Sequence, residues 1–151
     1  MRREDREIVD EKEIEAIIKR AAICHLALCH DNQPYIVPFN FGYKDRCLYF
    51  HSAREGRKIE MIRSNGNVCF ELDIDHKINR RGLACEWSFG YKSVIGFGKA
   101  TIIDDPLGKR HGLGIIMSHY SKRAFEFSDD KIKNVLLIKI EIESMTGKKS
   151  G

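Results

Sequence analysis

Apolar residues recur at every second position through much of this chain, which is the period of a β-strand with one buried face. Residues 34–43 show the pattern most clearly and place on one face Tyr35, Val37, Phe39, Phe41 and Tyr43. Further apolar or alternating runs fall at 23–29, 47–52, 68–74, 84–103 and 134–142. The run at 84–103 is expected to break near Phe89-Gly90. Most runs are joined by short turns, so we predict at least six strands with mainly antiparallel pairing.

Three predicted helices interrupt the strands. The first covers about 11–21, is capped by Asp10, and turns isoleucines at helical spacing towards the core. A short second helix is predicted over about 53–64. Asp105-Pro106 begins the third, with the aspartate as N-cap and the proline at the first helical position. The sequence therefore predicts a mainly β (α+β) fold, in which a small antiparallel barrel carries peripheral helices.

The 151 residues fit one domain, which we expect over 1–145, followed by a flexible tail over 146–151. The net charge is +4, but acidic and basic residues are interleaved, which disfavours a nucleic-acid partner. We find no apolar signal segment, no run of membrane length, and five cysteines without a CxxC pair. These features predict a cytoplasmic protein with reduced thiols and no membrane contact.

The cysteine–histidine pairs Cys24-His25 and Cys29-His30 suggest a metal site at first sight. On a strand, however, positions i and i+5 point to opposite faces, so the two cysteines do not converge. His111 and His119 lie eight positions apart on a helix, too far for one ion. The chain also lacks a nucleophile elbow. Neither a metal site nor a hydrolase triad is predicted.

The stretch 49–58 leads from an aromatic strand into the second predicted helix. It contains a histidine, a serine and three cations, which are His51, Ser52, Arg54, Arg57 and Lys58. Free N–H groups and the helix dipole favour negative charge at such an N-terminus, which indicates a phosphate site. Alternatively, Ser52 and Glu55 form a capping box and the cations are solvated. Local chemistry leaves both interpretations open.

Two other features also have alternative interpretations. Pro38 and Asn40 interrupt an apolar strand, which indicates either a β-bulge or an edge that offers backbone and amide groups to a ligand. Trp87, Phe89 and Tyr91 form an aromatic cluster. It is either a strand in the barrel wall or a cover for a planar ligand.

Five segments combine into a recognisable series along almost the whole chain. They are PYIVPFNFGY at 34–43, YFHSAREGRK at 49–58, NVCFE at 67–71, CEW at 85–87 and YKSVIGFGKA at 91–100. In order and spacing, this series resembles the pyridoxamine-phosphate-oxidase-like FMN-binding split barrels. Within them it is similar to the nitroimidazole-resistance (Nim) group.

The resemblance implies a six-stranded split barrel that works as a homodimer, with FMN bound in two clefts at the interface. The implied cofactor-binding residues are His51, Ser52, Arg57 and Lys58 for the phosphate, Val37, Pro38, Phe39 and Asn40 along the flavin ring edge, and Trp87 and Ser93 of the partner subunit. His51 would also lie close to the substrate, where a histidine can donate a proton near neutral pH.

The function implied by the resemblance is reduction of a small planar acceptor, such as a nitroaromatic, by an FMN-dependent oxidoreductase. Residues 140–145 lack the arginine-rich motif of true pyridoxamine phosphate oxidases, so vitamin B6 oxidation is not expected. Lys92 replaces a usual arginine and loses its bidentate geometry. Two alternatives keep the fold: a flavin or haem carrier without turnover, and a deazaflavin-dependent reductase with a basic groove at Lys77, Arg80 and Arg81.

Overall fold

The structure, a computed structural model, describes residues 3–151. Its strands are β1 (Glu7–Ile8), β2 (Cys24–His30), β3 (Gln33–Phe39), β4 (Gly42–Lys44), β5 (Cys47–Ala53), β6 (Asn67–Asn79), β7 (Ser88–Ile103) and β8 (Val135–Ser150). Its helices are α1 (Glu11–Arg20), α2 (Arg57–Ser64), α3 (Pro106–Tyr120) and α4 (Asp129–Ile132), with 3-10 turns at Glu4–Arg6 and Ala84–Glu86. The mainly β class predicted from the alternation is confirmed.

All strands join one antiparallel sheet in the order β3-β2-β6-β7-β8-β5-β4, and β1 pairs with β8. The sheet curls into a barrel but does not close, because its two ends, β3 and β4, share no ladder within the described chain. Phe39 of β3 and Phe50 of β5 meet across this opening, with ring centroids 5.0 Å apart. The fold is therefore a split barrel, built from eight strands rather than six.

Two groups of buried side chains hold the barrel together. The larger fills its interior and includes Ile14, Ile17 and Ile18, the predicted apolar stripe of α1. The smaller lies between the outside of the barrel and α3, where Tyr49 and Leu137 pack against helix residues. Alternation along β5 places Leu48 and Phe50 in the interior group and Tyr49 in the group under α3.

Several predicted element boundaries were wrong. The predicted strand at 34–43 is two strands, and β3 pairs with β2 without a bulge through Pro38. No break occurs at Phe89-Gly90, since β7 is continuous. β6 continues to Asn79, beyond the alternating run predicted at 68–74. Residues 146–150, expected in a flexible tail, belong to β8 and pair with β7, so backbone hydrogen bonds order them.

The start of the second helix was also misplaced. α2 begins at Arg57 with Gly56 as its N-cap, whereas a start near residue 53 was predicted. Ser52 lies within β5 opposite Leu136, so it does not cap a helix and the predicted capping box is absent. Pairing with β8 extends β5 to Ala53, and this tertiary contact overrides the local signal.

Two further properties concern the described part of the chain. Within residues 3–151, no helix combines the length and apolar character needed to span a bilayer. In the same range, three or more His, Cys, Asp or Glu side chains nowhere come together in a way that could hold a metal ion.

Candidate functional site

The N-terminus of α2 lies open next to the opening of the barrel. Gly56, its N-cap, has φ of +121° and supplies no side chain to cap the first turn. A Cβ built on Gly56 would meet no atom within 4 Å, so the space in front of the helix is free. The first-turn N–H groups and the helix dipole therefore offer a positive end to an anion.

Two cations in the first turn of α2 are placed over aromatic rings of β3. The Arg57 guanidinium lies 4.9 Å from the ring centre of Tyr35, and Lys58 Nζ lies 5.6 Å from that of Phe39. Among residues 3–151, neither cation forms a salt bridge with a carboxylate. Both charges are available to an external anion.

Arg54 is the cation of this stretch that is already engaged. Its guanidinium donates to both carboxylate oxygens of Asp104, at 2.7 and 2.6 Å, and to the backbone carbonyl of Lys133. Lys109 contacts the same carboxylate at 2.7 Å and is only 3 % exposed. Hydrogen bonds from Arg54 and then Lys109 hold the pKa of the Asp104 carboxyl well below its ordinary value. This cluster anchors the connection between β5 and α2.

Ser52 contributes a buried hydroxyl beside the opening. It is 4 % exposed, and its Oγ has no hydrogen-bond partner within the described residues. Strand alternation puts Ser52 on the same face of β5 as Phe50, which contacts Phe39. An unpaired buried hydroxyl is unfavourable, and each such group calls for an explanation. A ligand entering the opening would supply the missing partner.

The edge of β3 borders the same opening. Val37 and Phe39 turn towards the barrel interior, whereas Pro38 is exposed and Asn40 follows the strand as an exposed residue. β3 pairs with β2 alone among the described strands, so its other edge keeps unpaired backbone groups. The edge interpretation of Pro38 is therefore correct, and β3 offers backbone groups at the opening.

The remaining predicted residues do not join this cluster within one chain. His51 is exposed and points to the face of β5 opposite Ser52, the face on which Tyr49 packs against α3. Trp87 lies half-exposed in the β6–β7 hairpin with Arg80 over its ring at 5.7 Å. Ser93 is buried on β7, opposite Asp73 of β6. The sheet order separates β7 from β5 by β8, and from β3 by β2 and β6.

The outer face of the sheet carries an apolar patch that the sequence did not predict. Ile36, Ile95 and Phe97 are 62, 44 and 55 % exposed on β3 and β7. Between them, His25 Nδ1 lies 3.2 Å from Glu71 Oε2. Burial raises the pKa of the Glu71 carboxyl, and the negative charge of Asp73 raises this pKa further. Alternation identifies such residues as one face of a strand but does not say that the face is uncovered.

The chain is thus a small, mainly β protein of the split-barrel class, with an open helix N-terminus at its seam. The model of the pyridoxamine 5′-phosphate oxidase family matches residues 10–149, and the chain belongs to this family. The family predicted from the sequence motifs is thereby confirmed.

Three proteins illustrate the relationship. The crystal structure of a candidate 5-nitroimidazole antibiotic resistance protein from Bacteroides thetaiotaomicron VPI-5482 is 41 % identical, with a TM-score of 0.85 over 95 % of this chain and 86 % of that one. A FAD-binding protein from Mesorhizobium loti is 25 % identical, with a TM-score of 0.70 over 95 and 96 % of the two chains. An uncharacterized protein of Rhizobium meliloti (strain 1021) is 32 % identical over 65 residues, which span 43 % of this chain and 42 % of that protein.

Proposed function

We propose that this protein is an oxidoreductase that binds flavin as FMN and reduces a small planar acceptor, such as a nitroaromatic compound. The observation that carries the proposal is the buried, unpartnered hydroxyl of Ser52 beside two cations without carboxylate partners. The relationship to a candidate 5-nitroimidazole resistance protein and to a FAD-binding protein supports the same function.

The residues around the opening fit the polar ends of FMN. The phosphate of FMN is a dianion, which matches the charges of Arg57 and Lys58 and the first-turn N–H groups of α2. The hydroxyl of Ser52 would donate to the same phosphate. The free edge of β3 at Val37, Pro38 and Phe39, where alternate residues direct backbone groups away from β2, suits the polar ring edge together with the Asn40 amide. Bound flavin, once reduced by an external electron carrier, would pass electrons to the acceptor, while the protein positions the flavin and excludes water.

His51 has a separate role in this proposal. Its exposed side chain lies on the other face of β5 from Ser52, so we assign it to the acceptor rather than to the phosphate. Reduction of a nitro group consumes protons as well as electrons. An imidazole near the acceptor can supply one of these protons and can be reprotonated from solvent.

A homodimer completes the proposed site. The exposed patch of Ile36, Ile95 and Phe97 is suited to a second copy of the chain, because burying apolar area drives association. In one chain the opening is bordered by β3, β5 and α2 but has no cover. In the dimer, the half-exposed Trp87 of the partner subunit would supply that cover, whereas Ser93 is buried in its own chain.

The proposal is tested by replacing Lys58 with alanine and measuring flavin retained after purification and the Kd of added FMN. Loss of a charge-assisted contact to phosphate is worth about 1.5–3 kcal/mol, so we expect FMN binding to weaken about tenfold or more. Arg63→Ala is the matched control, since Arg63 is an exposed cation in the last turn of the same helix.

A Lys58→Ala protein that retains as much flavin as the wild type would refute this assignment. The absorption spectrum of the purified wild-type protein adds an independent criterion. Flavin bands in the blue region support the proposal, whereas a Soret band would indicate the haem-binding alternative.

A further inference from the structure

The last turn of α3 contacts the two residues that link β3 to β4. These residues, Asn40 and Phe41, join the two edge strands of the open sheet, so they cross the seam of the barrel. Asn40 is exposed beside the opening, whereas Phe41 is completely buried. The link therefore connects a residue of the proposed flavin site directly to a residue that is fixed in the core.

The hydroxyl of Tyr120, the last residue of α3, bridges this link to a second segment. Its Oη accepts from the backbone N–H of Phe41 at 2.9 Å and donates to the carbonyl of Ala22 at 2.8 Å. Within residues 3–151, Phe41 lies outside the ladders of β3 and β4, so its N–H has no partner on a neighbouring strand. A hydroxyl can donate and accept at once, and Tyr120 thus ties the link to the segment before β2.

The neighbouring residue, His119, holds the side chain of Phe41. The centroids of the two rings lie 4.4 Å apart, and His119 Nε2 lies 2.7 Å from the carbonyl oxygen of Ala21. A carbonyl oxygen can only accept, so Nε2 carries a proton and donates this hydrogen bond. Two consecutive residues of one helix therefore fix both the backbone and the ring of Phe41.

We propose that Tyr120 is a positioning residue for the redox reaction. It fixes the peptide group between Asn40 and Phe41, and thereby the direction in which the Asn40 amide faces the flavin ring edge. The inference rests on the proposed function, in which Asn40 borders that edge. Hydrogen bonds to the ring tune the electronics of a flavin. An amide N–H that donates there stabilises the negative charge gained on reduction, so a loss of this orientation should lower the reduction potential.

The test measures the reduction potential of bound FMN in Tyr120→Phe, which loses the hydroxyl and keeps the ring. We expect the affinity for reduced FMN to fall about tenfold relative to that for oxidised FMN, which lowers the potential by about 30 mV for a two-electron couple. The Kd of oxidised FMN should change by less than about threefold, because the proposed phosphate contacts of Arg57 and Lys58 remain.

A double-mutant cycle with Asn40→Ala separates positioning from a general effect on the fold. Asn40→Ala alone should lower the potential by a similar amount. The double variant should show no further loss, because Tyr120 acts through Asn40. In the flavin-free protein, the amide proton of Phe41 should exchange with solvent about tenfold faster in Tyr120→Phe than in the wild type.

Tyr43→Phe is the matched control. Tyr43 Oη donates to Glu15 Oε1 at 3.0 Å, so this substitution also removes one tyrosine hydrogen bond between a strand and a helix, but not one to the β3–β4 link. It should leave the potential and the exchange rate of the Phe41 amide as in the wild type.

A second variant replaces Tyr120→Phe should that protein fail to fold. His119→Phe keeps an aromatic ring against Phe41 and loses the hydrogen bond to Ala21. We expect it to lower the relative affinity for reduced FMN about threefold, which corresponds to about 15 mV.

A Tyr120→Phe protein with the potential of the wild type would overturn the inference and leave the proposed function intact. The same holds if its loss adds in full to that of Asn40→Ala, or if Tyr43→Phe shows an equal loss. A wild-type protein that binds no FMN would instead overturn the proposed function, and this inference with it.

Discussion

Ser52 is buried but carries a polar group, and without a ligand this combination is unfavourable. Its side chain faces the barrel interior, where apolar residues would pack, yet it carries a hydroxyl that finds no partner in residues 3–151. Leaving a buried polar group unpaired costs about 1–3 kcal/mol. A hydroxyl in this position is therefore better explained by ligand binding than by stability.

These two properties predict that Ser52→Ala changes the stability of the flavin-free protein and its affinity for flavin in opposite directions. Without flavin, the variant should be as stable as the wild type or more stable by up to about 1 kcal/mol in the free energy of unfolding, because the unpaired hydroxyl is gone. With flavin, the variant should bind about fivefold to tenfold more weakly, because one hydrogen bond to the phosphate is lost. Chemical denaturation of the flavin-free protein and titration with FMN measure the two effects.

Ser118→Ala is the control for the stability measurement. The Ser118 hydroxyl donates to the carbonyl of Ile115 at 2.8 Å, so removing it should not stabilise the protein. If Ser52→Ala destabilises the flavin-free protein as strongly as a core truncation does, the hydroxyl has a structural role and the assignment is wrong.

The sequence predicted which kinds of residue surround the opening but not which of them are free. Arg54, Arg57 and Lys58 looked equivalent along the chain. Asp104, the partner of Arg54, lies fifty positions further on and meets it through the fold. Such a distant pairing leaves no local periodicity or motif, so local chemistry could not separate the engaged cation from the two available ones. Only the family resemblance singled out Arg57 and Lys58.

At the scale of elements, the connection between β5 and α2 is held by contacts to the start of α3. Asp104 accepts from Arg54 and pairs with Lys109, whose ammonium is buried and also contacts the Ile132 carbonyl. The cluster thus joins three segments that are far apart in the sequence. It fixes the position from which the first turn of α2 faces the barrel opening.

Asp104→Asn should therefore lower the thermal stability at pH 7, because it leaves the buried ammonium of Lys109 without a counter-charge. The pKa of Asp104 is lowered in the folded protein, chiefly by Arg54. Its contribution is therefore present above the unfolded pKa of about 4 and is lost as the pH falls below that value. The difference in Tm between the wild type and the variant should shrink between about pH 4 and pH 2.

Thermal melts followed by circular dichroism at several pH values measure this difference. Asp5→Asn is the control, since Asp5 forms an exposed pair with Arg3, and such pairs contribute little. A Tm difference for Asp104→Asn that stays constant with pH would contradict the assigned role of the carboxylate.

Element types were easier to predict than element ends. Alternation identified the strands, and Asp105-Pro106 marked the start of α3 correctly, with Asp105 accepting from the N–H of Gly108. The break between β3 and β4 was missed because its cause is tertiary. A Cβ on Gly42 would lie 2.6 Å from the backbone of Ile115, so α3 approaches β4 as closely as only a glycine permits.

At the scale of the whole molecule, the barrel has an open seam and an uncovered outer face. The seam holds Ser52, Arg57 and Lys58, while the outer face carries Ile36, Ile95 and Phe97. In a single chain the outer face is uncovered and the two cations of the seam lack carboxylate partners, while the Ser52 hydroxyl is buried without a partner in residues 3–151. Association of two copies through the outer face would bury apolar area, and the proposed site would then draw residues from both chains.

Replacing Phe97 with lysine should separate the two copies. We expect wild-type protein to elute with the mass of two chains of 17.4 kDa each, measured by light scattering. A lysine at position 97 removes apolar area and places a charge in the proposed interface, and desolvating this charge costs several kcal/mol, which shifts the protein to monomer at micromolar concentration. Because the proposed site needs both chains, the monomer should also lose bound flavin.

Leu107→Lys is the matched control, since Leu107 is 79 % exposed at the start of α3 and lies outside this face. It should leave both the mass and the flavin content unchanged. A Phe97→Lys protein that stays dimeric would place the interface elsewhere on the barrel. A monomeric variant that keeps its flavin would show instead that one chain holds the cofactor through Ser52, Arg57 and Lys58 alone, and that the partner subunit covers a site that is already sufficient for binding.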